Sequence, residues 1–159
     1  MNASIRKHQD NIRKQLSEID KKLSDNSLCF SERQDLEDER ERLTIEILPI
    51  DKKWFTQFVW SDAHCFEIVE QRTPDLYMVR RMKATITPEA DKKLKDSFIP
   101  GGFCGHFDNS LQEWSFESDD NNPVIAIRRH KNGKFYAANT RTCPFVMLDH
   151  QFEHYDYNF

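Results

Sequence analysis

The chain has 159 residues and a mass of 19.0 kDa, which suits one domain with an appendage. Hydrophobic residues make up 38% and charged residues 31%, so a modest core under a polar surface is expected, with twelve Phe, four Tyr and three Trp supplying much of the buried area. A net charge of −4 with no global basic stripe argues against a nucleic-acid binder, and no apolar run approaches the ~20 residues needed to cross a bilayer. The polar N-terminus does not read as a signal peptide. Cys29, Cys65, Cys104 and Cys143 are far apart and form no C-x-x-C pair, so free thiols in a reducing cytosol are expected.

Residues 1–52 read as an antiparallel helical hairpin. Ile12, Leu16, Ile19 and Leu23 are spaced four, three and four apart, a heptad-type seam, and Ser24–Ser27 interrupts it. Ser31, with Gln34 three residues on, reads as a capping box opening a second helix, whose apolar face is Leu36, Leu43 and Ile47 and which Pro49 ends. So thin a stripe needs support: the hairpin covers an edge of its own chain, pairs with another subunit, or docks on a foreign protein.

Residues 53–159 read as an antiparallel β domain of about seven strands, a barrel or a sandwich. Trp54–Trp60, His64–Glu70 and Leu76–Thr85 form a meander with turns at Ser61–Ala63 and Thr73–Asp75. A long loop over 86–110 follows, with a charged run from Glu89 to Asp96 that suits one or two helical turns. Strands resume at Gln112–Glu117, Val124–His130, Lys134–Ala138 and Phe145–Leu148, and Asn132-Gly133 is a strong hairpin signal. The fold class expected is therefore α+β.

The spacing of cysteines and histidines gives no zinc pattern; only His150 and His154 have suitable spacing, and that on a doubtful helix. Cys104 lies near His106 and Asp108, but no nucleophile signature surrounds it, and no carboxylate pair stands out. No catalytic residue, metal or cofactor is assigned. The remaining signal is anion recognition. Arg80-Arg81, Arg128-Arg129, Lys131 and Arg141 cluster on predicted strands, where alternation lets only one of each adjacent pair share a face. The alternative is a solvated sheet face with ion pairs to the many carboxylates.

The order Trp60-Ser61-Asp62-Ala63-His64, then Glu67 to Glu70, then Val79-Arg80-Arg81 with Lys83-Ala84, resembles a group of small phage-encoded β-barrel proteins. So do Asp108-Asn109 with Glu113-Trp114 and Phe116, Arg128 with Lys131 to Phe135, and Tyr155 to Phe159. The named relatives it resembles are the anti-Thoeris sponge proteins, which sequester cyclic ADP-ribose-type signals. Here Phe107 to Gln112 replaces the tighter turn of that family, and the helical hairpin is longer than the family implies.

The resemblance implies a non-enzymatic anti-defence protein in the cytoplasm of an infected bacterium. Arg80, Arg128 and Lys131 would neutralise a pyrophosphate; Asp108, Asn109 and Gln112 would read ribose or base edges; Phe103, Phe107 and Trp114 would stack on adenine. Homo-oligomerisation through the N-terminal helices would build the site between subunits. Two alternatives remain open: a protein–protein inhibitor of a host defence complex or nuclease, in the manner of an anti-CRISPR protein, and an accessory phage structural protein.

Overall fold

The structure is a computed structural model that describes residues 3–25, 27–101, 105–138 and 140–158. Two helices open the chain, α1 (Ala3–Leu23) and α2 (Phe30–Ile47). Ile12, Ile19 and Leu43 are buried between them, with Leu16, Leu23, Leu36 and Ile47 packed alongside. The heptad-type seam of α1 is thus covered by α2 of the same chain, so any association of two copies through these helices falls on their charged outer faces. Helix α2 starts earlier than the Ser31 signal predicts. Cys29 is its N-cap, and the Glu32 carboxylate accepts the Cys29 N–H at 3.0 Å. The turn chooses Glu32 over Gln34 because a carboxylate near a helix N-terminus also meets the positive end of the dipole.

The β domain holds eight strands rather than about seven. Six of them, β1 (Trp54–Val59), β2 (Asp62–Thr73), β3 (Leu76–Arg81), β6 (Val124–Arg129), β7 (Phe135–Ala137) and β8 (Phe145–Leu148), close into a barrel in the order β1-β2-β3-β6-β7-β8. The single strand expected over 76–85 breaks at Met82, which turns inward, is buried and donates its N–H to the Cys65 carbonyl. Its second part, β4 (Lys83–Ile86), leaves the barrel and pairs with β5 (Trp114–Glu117) in a separate two-stranded sheet.

The barrel interior is filled rather than hollow. Phe55, Phe66, Tyr77, Val79, Ile127, Phe135 and Phe145 occupy it with Ile68. Phe55 and Tyr77 meet edge-on at 5.2 Å, Phe55 and Phe135 at 4.9 Å, and Phe66 and Phe145 at 5.1 Å, which is the preferred aromatic geometry. Alternation then assigns the neighbours: Leu76, Met78 and Arg80 of β3, and Ala126 and Arg128 of β6, point away from this core.

The expected long loop carries regular structure among its described residues. Pro88–Asp96 forms a helix, α3, with Thr87 as N-cap accepting the Ala90 N–H at 3.3 Å and Pro88 in its first turn. Ile99 and His106 then bridge, and Asn109–Leu111 makes a 3-10 turn. Asn132-Gly133 does turn the β6–β7 hairpin. The loop has three residues, because Gly133 N–H returns to the His130 carbonyl at 2.9 Å and His130 N–H to Lys134 at 2.9 Å. Gly133 sits at φ +77 with nothing within 4 Å of a built Cβ, so Gly133→Ala should cost about 1 kcal/mol through backbone strain alone. Denaturant unfolding checks this, and a loss near zero would mean that the turn relaxes.

The hairpin of helices covers one end of the barrel. Glu46, at the end of α2, is buried and accepts hydrogen bonds from Arg129 and from His8 of α1, the latter at 2.7 Å. Its main-chain carbonyl accepts the ammonium of the equally buried Lys53 at 2.7 Å. This polar junction fastens both helices to β1 and β6.

Candidate functional site

The residues singled out for ligand contact are dispersed over the molecule, and their local chemistry explains where each goes. Asn109 and Gln112 hold the C-terminal segment. Asn109 donates to the Asp156 carboxylate at 2.7 Å, while Gln112 accepts the Tyr155 N–H at 2.9 Å and donates to the Tyr155 carbonyl. Asn158 answers from the other side, accepting the Phe107 N–H at 2.7 Å and donating to its carbonyl at 3.2 Å. Side-chain amides here imitate strand pairing between two segments that are not strands. The Asp108 carboxylate caps the 3-10 turn, taking the Ser110 hydroxyl at 2.6 Å and the Ser110 N–H at 3.0 Å, and these bonds hold its carboxyl below the usual range.

Phe107 packs between Phe98 at 4.9 Å and Tyr157 at 6.1 Å. Trp114 lies in β5 opposite Ile86, its indole N–H buried and without a hydrogen-bond partner among the described residues. Phe103 lies outside the described residues. Phe107, Asn109 and Gln112 thus form a clasp with residues 155–158, and Asp108 caps the turn that carries them. Replacing Asn109 and Gln112 together by Ala should raise hydrogen exchange at the Tyr155 amide at least about tenfold, since each lost hydrogen bond is worth about 1 kcal/mol. Unchanged protection there would show that the ring contacts alone hold the tail.

The cations also part company. Arg80 is held by Glu67 at 2.7 Å and by Asp120, and Ser118 reaches the same Glu67 carboxylate. It stands across from Val124, whereas Arg128 stands across from Leu76, four residues along the same pair, a separation of about 13 Å at strand rise. Arg80 is thus engaged by acidic partners and stands apart from Arg128 by register. Arg129 points to the barrel end, over the Phe135 ring at 4.8 Å, against Glu46 and with its Nε 3.3 Å from Asp75, close enough for an ion pair but without hydrogen-bond geometry. Lys131 is exposed on the hairpin turn.

Arg128 is placed differently. Arg128 lines an outward-facing cleft of about 760 Å³, formed where β3, β6 and β7 meet the segment that follows β7. Arg141 lines it too, and the floor is Leu76, Ala126 and Ala137. Register places Arg128 directly across from Tyr136. His130 meets the Tyr136 ring edge-on at 4.9 Å, and Asn132 donates to the Tyr136 hydroxyl at 3.1 Å. Tyr136 faces outward yet is 9% exposed, so the surrounding chain fixes it. Among the described residues no carboxylate lines the cleft, and neither the Arg128 nor the Arg141 guanidinium has a hydrogen bond or ion pair.

No protein-family model matches this sequence, and no curated protein or solved structure is significantly similar to it.

On a surface rich in carboxylates, two guanidiniums without partners among the described residues thus lie beside the His130–Tyr136 ring contact. His130 and Tyr136 were missed because neither carries a motif; the Asn132-Gly133 turn, read with its three-residue loop, was the available signal, since it sets Arg128 opposite Tyr136. Among the described residues no group of three or more His, Cys, Asp or Glu side chains is arranged to hold a metal ion. Cys65 is buried, 3.8 Å from the Met82 sulfur, and burial pushes its thiol up to about 12, which suits packing and not nucleophilic attack. Cys104 lies outside the described residues.

Proposed function

We propose that this chain is a non-catalytic binding protein that captures a small, ring-bearing, phosphorylated molecule in the cleft between Arg128 and Arg141. The observation that carries the reading is that, among the described residues, these two guanidiniums have no acidic partner, in a cleft whose floor is apolar and whose side is the His130–Tyr136 pair. Guanidinium forks take phosphate oxygens in pairs of hydrogen bonds, and an apolar floor beside an aromatic edge accepts a base or ribose face. The volume falls in the range of small-molecule sites.

The sequence resemblance narrows the ligand to a cyclic ADP-ribose-type or cyclic nucleotide signal, and the role to a phage sponge acting in the cytoplasm of an infected bacterium. Sequestration asks only for tight binding. Isothermal titration with cyclic ADP-ribose isomers, linear ADP-ribose and cyclic dinucleotides tests it. A one-site isotherm with at least one of them is expected, weakening as salt rises because two charge pairs form. Absence of heat with every member of the panel, together with no nucleotide released on denaturing the purified protein, would overturn the reading.

A further inference from the structure

The β6–β7 hairpin has a second face. Strand β7 meets β8 through a single residue pair, Phe135 with Phe145, whereas the other barrel seams carry three to six pairs each. Beyond that pair the hairpin turn and β8 separate, and a cleft of about 510 Å³ opens between them and α2. The cleft backs onto two core rings, Phe135 and Phe145, which stay buried, and its accessible apolar lining is Val146, 38% exposed, with Met147 beside it. Such an apolar floor would ordinarily be closed by strand pairing.

The rim has the opposite character. Arg42, Arg129 and Lys134 line it, against one carboxylate, Glu46. Glu46 is already engaged by Arg129 and by His8. Arg42 stands 3.7 Å from Glu46 and 3.8 Å from Glu39, in ion-pair range of both but hydrogen-bonded to neither, and half-exposed. The Lys134 ammonium has no partner among the described residues. Two cations therefore line the cleft with donors to offer, together with the apolar side chains of Val146 and Met147. A neutral apolar guest would leave those donors unused, and a compact inorganic anion would leave those side chains wet.

We infer that this seam cleft is a second binding site, separate from the Arg128–Arg141 cleft, for an amphiphilic monocarboxylate whose carboxylate lies between Arg42 and Lys134 and whose apolar body covers Val146 and Met147. The hairpin thereby separates two ligand chemistries: Arg128 and Tyr136 on one side, Lys134 and Phe135 on the other.

Titration of the full chain with decanoate, decanol and acetate tests the site. One-to-one binding of decanoate is expected, with decanol at least about tenfold weaker because it forms no charge-assisted pair, and with no measurable heat from acetate. Lys134 is exposed on a turn, so Lys134→Glu should keep the fold, verified by circular dichroism, and weaken decanoate about tenfold or more. Val146→Trp should block the floor and abolish binding of both long-chain probes. Arg128→Glu should leave decanoate affinity unchanged, which keeps this site distinguishable from the nucleotide cleft. Equal affinities for decanoate and decanol, no effect of Lys134→Glu, or no decanoate binding would each overturn the inference.

Discussion

Glu46→Ala is expected to lower unfolding free energy by about 3–5 kcal/mol, the range measured when one partner of a buried charge cluster is removed. The Glu46 side chain is 6% exposed and accepts from Arg129 and His8. Without Glu46, Arg129, 17% exposed and stacked on Phe135, keeps only the exposed Asp75 in ion-pair range. The loss would therefore combine a missing buried partner with a poorly compensated guanidinium. Glu46→Leu combined with Arg129→Met should recover most of it, because two apolar groups of similar volume leave nothing unpaired. Urea unfolding with a folded-state control checks both. A single-variant loss under about 1 kcal/mol would show that the helical hairpin is fastened mainly by its apolar contacts.

The same junction sets the pH response. Burial pushes the Glu46 carboxyl up, but hydrogen bonds and charge from Arg129 and His8 outweigh that and leave it below its ordinary value of 4.5. A depressed carboxyl contributes stability above its unfolded pKa, and that contribution disappears as pH falls below 4.5 through the folded value. Lys53 behaves oppositely. Burial lowers it from 10.5 to about 8, against the raising effect of Glu46. Between these values the unfolded chain binds the Lys53 proton more tightly than the folded one does. Stability from this group therefore rises as pH goes from about 8 to 10.5, and its full cost is present below 8. Thermal melts should show Tm rising over that alkaline interval relative to Lys53→Met, in which the rise is absent. Parallel curves for the two proteins would contradict the assignment.

How far the sequence reaches depends on the range of the interaction. The helical hairpin is legible because its signals are local: a four-three-four seam in α1 and a proline after α2. The strands of the barrel are legible for the same reason, through alternation and the Asn132-Gly133 turn. The break at Met82 is not, because a lone apolar residue between Arg81 and Lys83 fits strand alternation equally well, and what marks the break is a long-range bond from its N–H to the Cys65 carbonyl. The tail clasp is hidden for a stronger reason. Gln112 meets Tyr155 across 43 residues and Asn109 meets Asp156 across 47. An amide side chain that reads as a ligand contact in one segment is the backbone partner of another. Arg80 misleads similarly: Glu67 is its neighbour on the paired strand, yet Asp120 reaches it from a turn forty residues away. Arg128 escapes such capture because Leu76 and Tyr136, not acids, stand across from it.

That difference between two outward-facing arginines gives the sharpest functional expectation. Arg128→Glu with Arg141→Glu should weaken binding of the cleft's phosphorylated ligand about 100-fold or more, since each guanidinium–phosphate contact is a charge-assisted bond worth about 1.5–3 kcal/mol and its reversal adds repulsion. Both side chains are exposed and neither has an ion pair to lose, so the double variant should unfold at nearly the same denaturant concentration as the parent chain. Tyr136→Phe isolates the ring from the hydroxyl. It removes only the bond from Asn132, so a stacking role for Tyr136 predicts little change in affinity, and a hydroxyl contact predicts a clear one. Arg80→Glu is the opposite control. It breaks the pair with Glu67, sets like charges together and should reduce stability, while ligand affinity stays as it was because Arg80 stands about 13 Å along the strand from the cleft. If Arg80→Glu abolished binding while the Arg128 and Arg141 double variant retained it, the site would lie on the Val124 side of the barrel, and the anion reading of the β6–β7 cleft would fall with it.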